Sequence, residues 1–124
     1  MSPDKSQLVI RQQGGVTVVG FLTPSMLDQS NVVAVGTELM ELVEARNRKR
    51  MLIDFTGVKY LSSSLLGKLI ALHKRITVVE GELKLCAIDP SIYEIFQMMR
   101  LDRVFDIQPD EQRAISKFRG GMIG

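Results

Sequence analysis

The sequence predicts a single α/β domain, a mixed β-sheet of about five strands backed by about four helices. Three observations carry this reading. Two β-branched runs meet at Gly14-Gly15; short apolar runs then alternate with longer segments whose apolar residues recur every three or four positions; and the switches between them coincide with cap and stop residues. At 124 residues the chain is one domain long, and folding should hide about two-thirds of the unfolded chain's surface.

Residues 7–13 (QLVIRQQ) and 16–21 (VTVVGF) read as a hairpin joined by Gly14-Gly15. Val32, Val35, Leu39, Leu42 and Val43 then share one helical face, so a helix runs to about Ala45, with Ser30 or Asn31 as its cap. Arg46, Arg48, Lys49 and Arg50 follow. Such cations at a helix C-terminus meet its negative dipole end in solvent, which explains them without a nucleic-acid or lipid surface.

Met51 to Phe55 is a short apolar run carrying Asp54, as expected of a strand covered on both faces. Leu65, Leu69, Leu72, Ile76 and Val79 mark a second amphipathic helix, with Gly81 at the expected stop. Leu83 to Ile88 is another buried-type strand. Asp89-Pro90 opens a third helix, Asp as cap and Pro at the first position, whose inner face is Ile92, Ile95, Phe96 and Met99. Met40, Met98 and Met99 fit as flexible core fillers. Val104 to Ile107 makes a short last strand, and Pro109-Asp110-Glu111 begins a fourth helix with Ala114, Ile115 and Phe118 inward. The domain is expected over 7–118, with flexible termini at 1–6 and 119–124.

Composition narrows the function. A net charge of +2 gives no reason to expect nucleic acid as partner, and no apolar window approaches a membrane span. The N-terminus lacks the basic and apolar segments of a signal peptide, which points to the cytoplasm. The single cysteine, Cys86, sits in an apolar run and reads as a small buried hydrophobe. His73 has no companion ligands, so neither a metal nor another cofactor is expected.

The stretch YLSSSLLG, residues 60–67, places Ser62, Ser63 and Ser64 between a strand and a helix, at the carboxyl end of the sheet where ligands and chemistry collect in α/β folds. A hydrolase would need a base beside the serine. Ser63 and His73 on one helix lie about 15 Å apart along its axis, and no nucleophile-elbow glycines flank Ser63. Catalysis is therefore not expected. One serine should cap the helix. A phosphate on another would meet free N–H groups and a favourable dipole, and would change the charge of a surface that a partner reads.

Residues 53–67, IDFTGVKYLSSSLLG, resemble the signature of STAS domains, the bacterial anti-sigma-factor antagonist family, which runs roughly D-L-[ST]-G-V-x-F-[ILM]-D-S-S-G-L-x-x-L. Residues 86–90 and 95–107 are similar to the family's closing pattern. The resemblance spans 7–118 and implies the STAS fold. It also implies a partner: an anti-sigma factor that is a serine kinase with an ATPase-type fold, which phosphorylates the first serine of D-S-S-G and is bound by the unphosphorylated antagonist. Ser63 falls on that serine and Ser64 on its neighbour. Ser62 stands where the family has Asp, and Leu65 where it has Gly. Thr56, Gly57, Lys59, Ser62, Ser63, Leu65 and Lys68 are the expected partner-binding residues, with Ser63, Ser64 and Ser62 as phosphorylation candidates. The alternatives are a scaffold or transporter-associated subunit without phosphate control, and a homo-oligomer is a further expectation.

Overall fold

A computed structural model describes residues 7–24 and 29–118. The expected flexible termini, 1–6 and 119–124, lie outside the described residues. The chain forms β1 (Leu8–Gln13), β2 (Val16–Phe21), α1 (Gln29–Glu44), β3 (Arg50–Asp54), α2 (Ser63–Val78), β4 (Glu82–Cys86), α3 (Pro90–Met98), a 3-10 turn (Leu101–Arg103), β5 (Asp106–Gln108) and α4 (Glu111–Ser116). The five strands make one sheet in the order β1-β2-β3-β4-β5. β1 is antiparallel to β2, and the remaining pairs are parallel.

Side-chain alternation along the strands divides the core in two. Val19, Met51, Ile53, Leu83 and Leu85 face α1, α2 and α3, where Leu39, Leu69, Leu72, Ile76, Ile92 and Phe96 close over them. Val16, Val18, Leu52 and Cys86 point the other way, onto Ala114, Ile115 and Phe118. On that second face Lys84 is buried, its ammonium 2.5 Å from Asp106 and 5.0 Å from the centroid of the Phe118 ring. Burial works to raise the Asp106 carboxyl, but the hydrogen bonds from Lys84 and Gln108 outweigh it and hold it below the usual range.

Five details differ from the sequence reading. α1 already includes Gln29, so Ser30 and Asn31 lie inside the helix rather than at its cap. It ends at Glu44 with no basic residue in its last turn, so Arg48, Lys49 and Arg50 are not dipole partners. α2 ends at Val78 and is closed ahead of Gly81: Glu80 takes the left-handed conformation at φ 61°, its N–H bonds the Thr77 carbonyl, and the Gly81 N–H bonds that of Ile76. Gly81 is needed for a different reason, since a Cβ there would collide with the Lys49 carbonyl oxygen. Finally, Met98 and Met99 are 82% and 54% exposed, so they fill no gap. The last strand is Asp106–Gln108, because a 3-10 turn takes Leu101–Arg103.

Candidate functional site

The site begins where β3 ends. Asp54 Oδ1 accepts from the Thr56 N–H at 2.9 Å and the Thr56 hydroxyl at 2.6 Å, a side-chain turn that directs the chain away from the sheet. Gly57 follows at φ 86°, and a Cβ there would lie 2.9 Å from Pro24 Cγ, so both backbone conformation and space require glycine. Val58 and Leu61 then anchor the loop in the core, while Lys59 and Tyr60 between them are exposed.

Lys59 reaches Asp89 at 2.9 Å. Asp89 also accepts from the backbone N–H and hydroxyl of Ser91, capping α3. The Lys59 hydrogen bond, with help from Ser91, lowers the Asp89 carboxyl to about 2. This cross-connection, which joins the serine loop to the loop after β4, was not legible from the sequence, where Asp89 reads only as a helix cap.

The three serines separate by backbone geometry. Ser62 is extended, with φ −82° and ψ 158°, and its Oγ accepts from the Leu65 N–H at 3.1 Å, so it is the cap of α2. Ser63 and Ser64 are the first two helical residues and are exposed. Among the described residues, neither hydroxyl makes a hydrogen bond. No acidic residue occupies the first turn of α2, so its free N–H groups face solvent without a side-chain anion.

Two expected partner-binding residues are placed otherwise. Leu65 is fully buried and belongs to the core under the loop, so it cannot touch a partner while the helix is folded; the helical turn points its side chain inward with Leu69. Lys68 is half-buried, its aliphatic stem laid across α1 at Gly36, where an added Cβ would meet Lys68 Cδ at 2.6 Å. Thr56, Gly57, Lys59, Ser62 and Ser63 gather at the carboxyl end of the sheet as expected. Asp54, which holds Thr56, was missed as a site residue. The D-x-T spacing was the signal available for it.

His73 packs its ring edge against Phe105, centroids 5.4 Å apart. Burial pushes the Cys86 thiol up to about 12, so it stays protonated in the core. Among the described residues, no helix is long and apolar enough to cross a membrane.

The chain that carries this arrangement has known relatives. Residues 7–114 match the model of the STAS domain. The chain belongs to the STAS domain family. It is 22% identical over 111 residues to an anti-sigma F factor antagonist of Paenibacillus polymyxa, covering 90% of this chain and 93% of that protein. Its structure is similar to that of an anti-sigma-factor antagonist STAS domain protein from Planctomyces limnophilus, with a TM-score of 0.78, 25% identity, and coverage of 86% and 93% of the two chains. The phosphorylated form of the Bacillus cell fate determinant SpoIIAA shares the STAS fold at a TM-score of 0.69 and 16% identity, over 89% of this chain and 97% of that one.

Proposed function

We propose that this STAS domain is an anti-sigma-factor antagonist, a cytoplasmic interaction module without catalysis of its own. It docks on a regulatory serine kinase through Thr56, Gly57, Lys59 and the exposed first turn of α2. The observation that carries the reading is the division of labour among the serines. Ser62 alone caps the helix, which leaves the Ser63 hydroxyl exposed and unengaged at the first helical position. A phosphate on Ser63 would be favoured by the helix terminus within the free protein, and in a packed interface would be desolvated charge that breaks the contact.

The test has two parts. Peptide mass spectrometry of the protein from its native cell is expected to find phosphate on Ser63. Ser63→Ala is expected to capture the kinase partner, and Ser63→Asp to bind it at least about tenfold more weakly, 1.4 kcal/mol. Equal affinities would overturn the switch.

A second reading is a scaffold or transporter-associated subunit that works without phosphate. It is favoured by Ser62, which supplies the cap but not the carboxylate that the family places beside the target hydroxyl. Absence of phosphate under every growth condition, with a stable complex unchanged by kinase and ATP, would select it.

A further inference from the structure

The face of the sheet turned away from α2 has a separate and lighter cover. α4 is six residues long, Glu111–Ser116, and a helix of that length has no stability of its own in water. It stays on the sheet through Ala114, Ile115 and, just beyond its end, Phe118, which close over Val16, Val18, Leu52 and Cys86. None of these residues belongs to the core beneath α1, α2 and α3.

Little else holds the segment down. Its hydrogen bonds turn inward: Asp110 caps the Arg113 N–H, the Ser116 hydroxyl bonds the Arg113 carbonyl, and the N–H groups of Ala114, Lys117 and Phe118 bond the carbonyls of Asp110, Ala114 and Ile115. Among the described residues, the hydrogen bond that leads out of the segment joins Glu111 to Arg11 at 2.6 Å, a pair half open to solvent that contributes little. Lys84 lies under Phe118, 5.0 Å from the ring centroid, but its carboxylate partner Asp106 belongs to β5 and not to α4. Lifting α4 therefore hydrates that charge pair without breaking it, so no orphaned charge opposes the movement. The link at the foot of the helix, Pro109 and Asp110, is exposed.

We propose that residues 109–118 form a hinged cover, which opens as a unit and bares the apolar strip of Val16, Val18 and Leu52 while the five strands and the serine-bearing α2 stay folded. Opening gives up the burial of three anchoring side chains, whereas global unfolding gives up the core on the other face as well, so the cover is the unit of lower opening free energy. Cys86 reports the movement. The single thiol of the chain is fully buried against the α4 anchors, so it is protonated and out of reach of reagents while the cover is closed. The proposal does not rest on the switch at Ser63, which belongs to the helix over the opposite face.

Labelling of Cys86 in the whole chain by an aromatic disulfide reagent, at urea concentrations below the global transition, tests it. The expected result is a rate that hardly changes with urea and exceeds, at least about tenfold, the rate that global unfolding would allow. Hydrogen exchange should show the amides of residues 114–118 opening at least about tenfold more readily than those of residues 51–53. Phe118→Ala should speed labelling at least about tenfold through the lost anchor. Leu65→Ala weakens the opposite core in the closed and open forms alike, so labelling at low urea should stay within about twofold of the wild type while the core amides exchange faster. Labelling that rises with urea as steeply as global unfolding, that Leu65→Ala accelerates in step with the core amides, or that Phe118→Ala leaves unchanged would overturn the proposal, as would equal protection of the two sets of amides.

Discussion

The two ends of the sheet are built on opposite principles. At the carboxyl end the polar side chains satisfy one another: Asp54 holds Thr56, Ser62 holds the Leu65 N–H, and Lys59 holds Asp89. What remains unengaged is a pair of exposed hydroxyls, Ser63 and Ser64, on a settled frame. At the amino end the frame is backbone, made of left-handed residues and a glycine contact, and the side chains of Arg48, Lys49 and Arg50 make no hydrogen bond or ion pair among the described residues. The comparison teaches that the first end is set by side-chain bonding and the second by steric fit. Substitutions should therefore act differently at each.

The largest effect is expected beneath the serine loop. Leu65→Ala, in a fully buried position, should cost about 3 kcal/mol in chemical denaturation; a loss under about 1 kcal/mol would mean that the loop and not the core holds the first turn of α2. Next comes the amino end, where Gly81→Ala should cost about 2 kcal/mol, because the methyl group forces β4 away from Lys49. Ser62→Ala should cost about 1 kcal/mol through loss of the cap, while Ser62→Asp should match or exceed the wild type. Arg50→Ala should stay within about 0.5 kcal/mol, since its guanidinium supports nothing in the fold.

The smallest effect is a pH dependence. Asp89 is lowered to about 2 by its Lys59 and Ser91 bonds, so its contribution to stability is complete above about pH 4 and fades as the pH falls toward 2. In Lys59→Ala the carboxyl should titrate nearer its ordinary value, read by carbon-13 NMR, and part of the acid sensitivity between pH 4 and 2 should disappear.

The elements were legible because their apolar periods are unmixed: Leu65, Leu69, Leu72 and Ile76 can lie on one helical face and on no strand face. What was not legible depended on partners distant in sequence. Gly81 reads as a helix stop, yet Glu80 is the residue in the left-handed position, and Gly81 is required instead by the Lys49 carbonyl packed against it. Met99 continues the apolar stripe of α3, but that helix is only nine residues long and its end projects beyond the core. Of the candidate site, Ser63 was singled out by the motif as the expected phosphorylation position, and the structure places it exposed at the start of α2. The three hydroxyls became distinguishable only through the extended backbone of Ser62, and the burial of Leu65 agrees with its place on the apolar helical face and not with its place among the partner-binding residues.

Strand order that follows chain order has a consequence for synthesis. Each unit leaving the ribosome finds its neighbour already made, so the sheet can grow outward from β1 and β2 in the sequence in which it is translated. The cover for one face arrives last. Val16, Val18 and Leu52 have to wait for Ala114, Ile115 and Phe118, which means that the nascent chain carries an open apolar surface until residues 114–118 are out. A translation pause before residue 114 would extend the period in which that surface is available to chaperones, or to other unfinished chains.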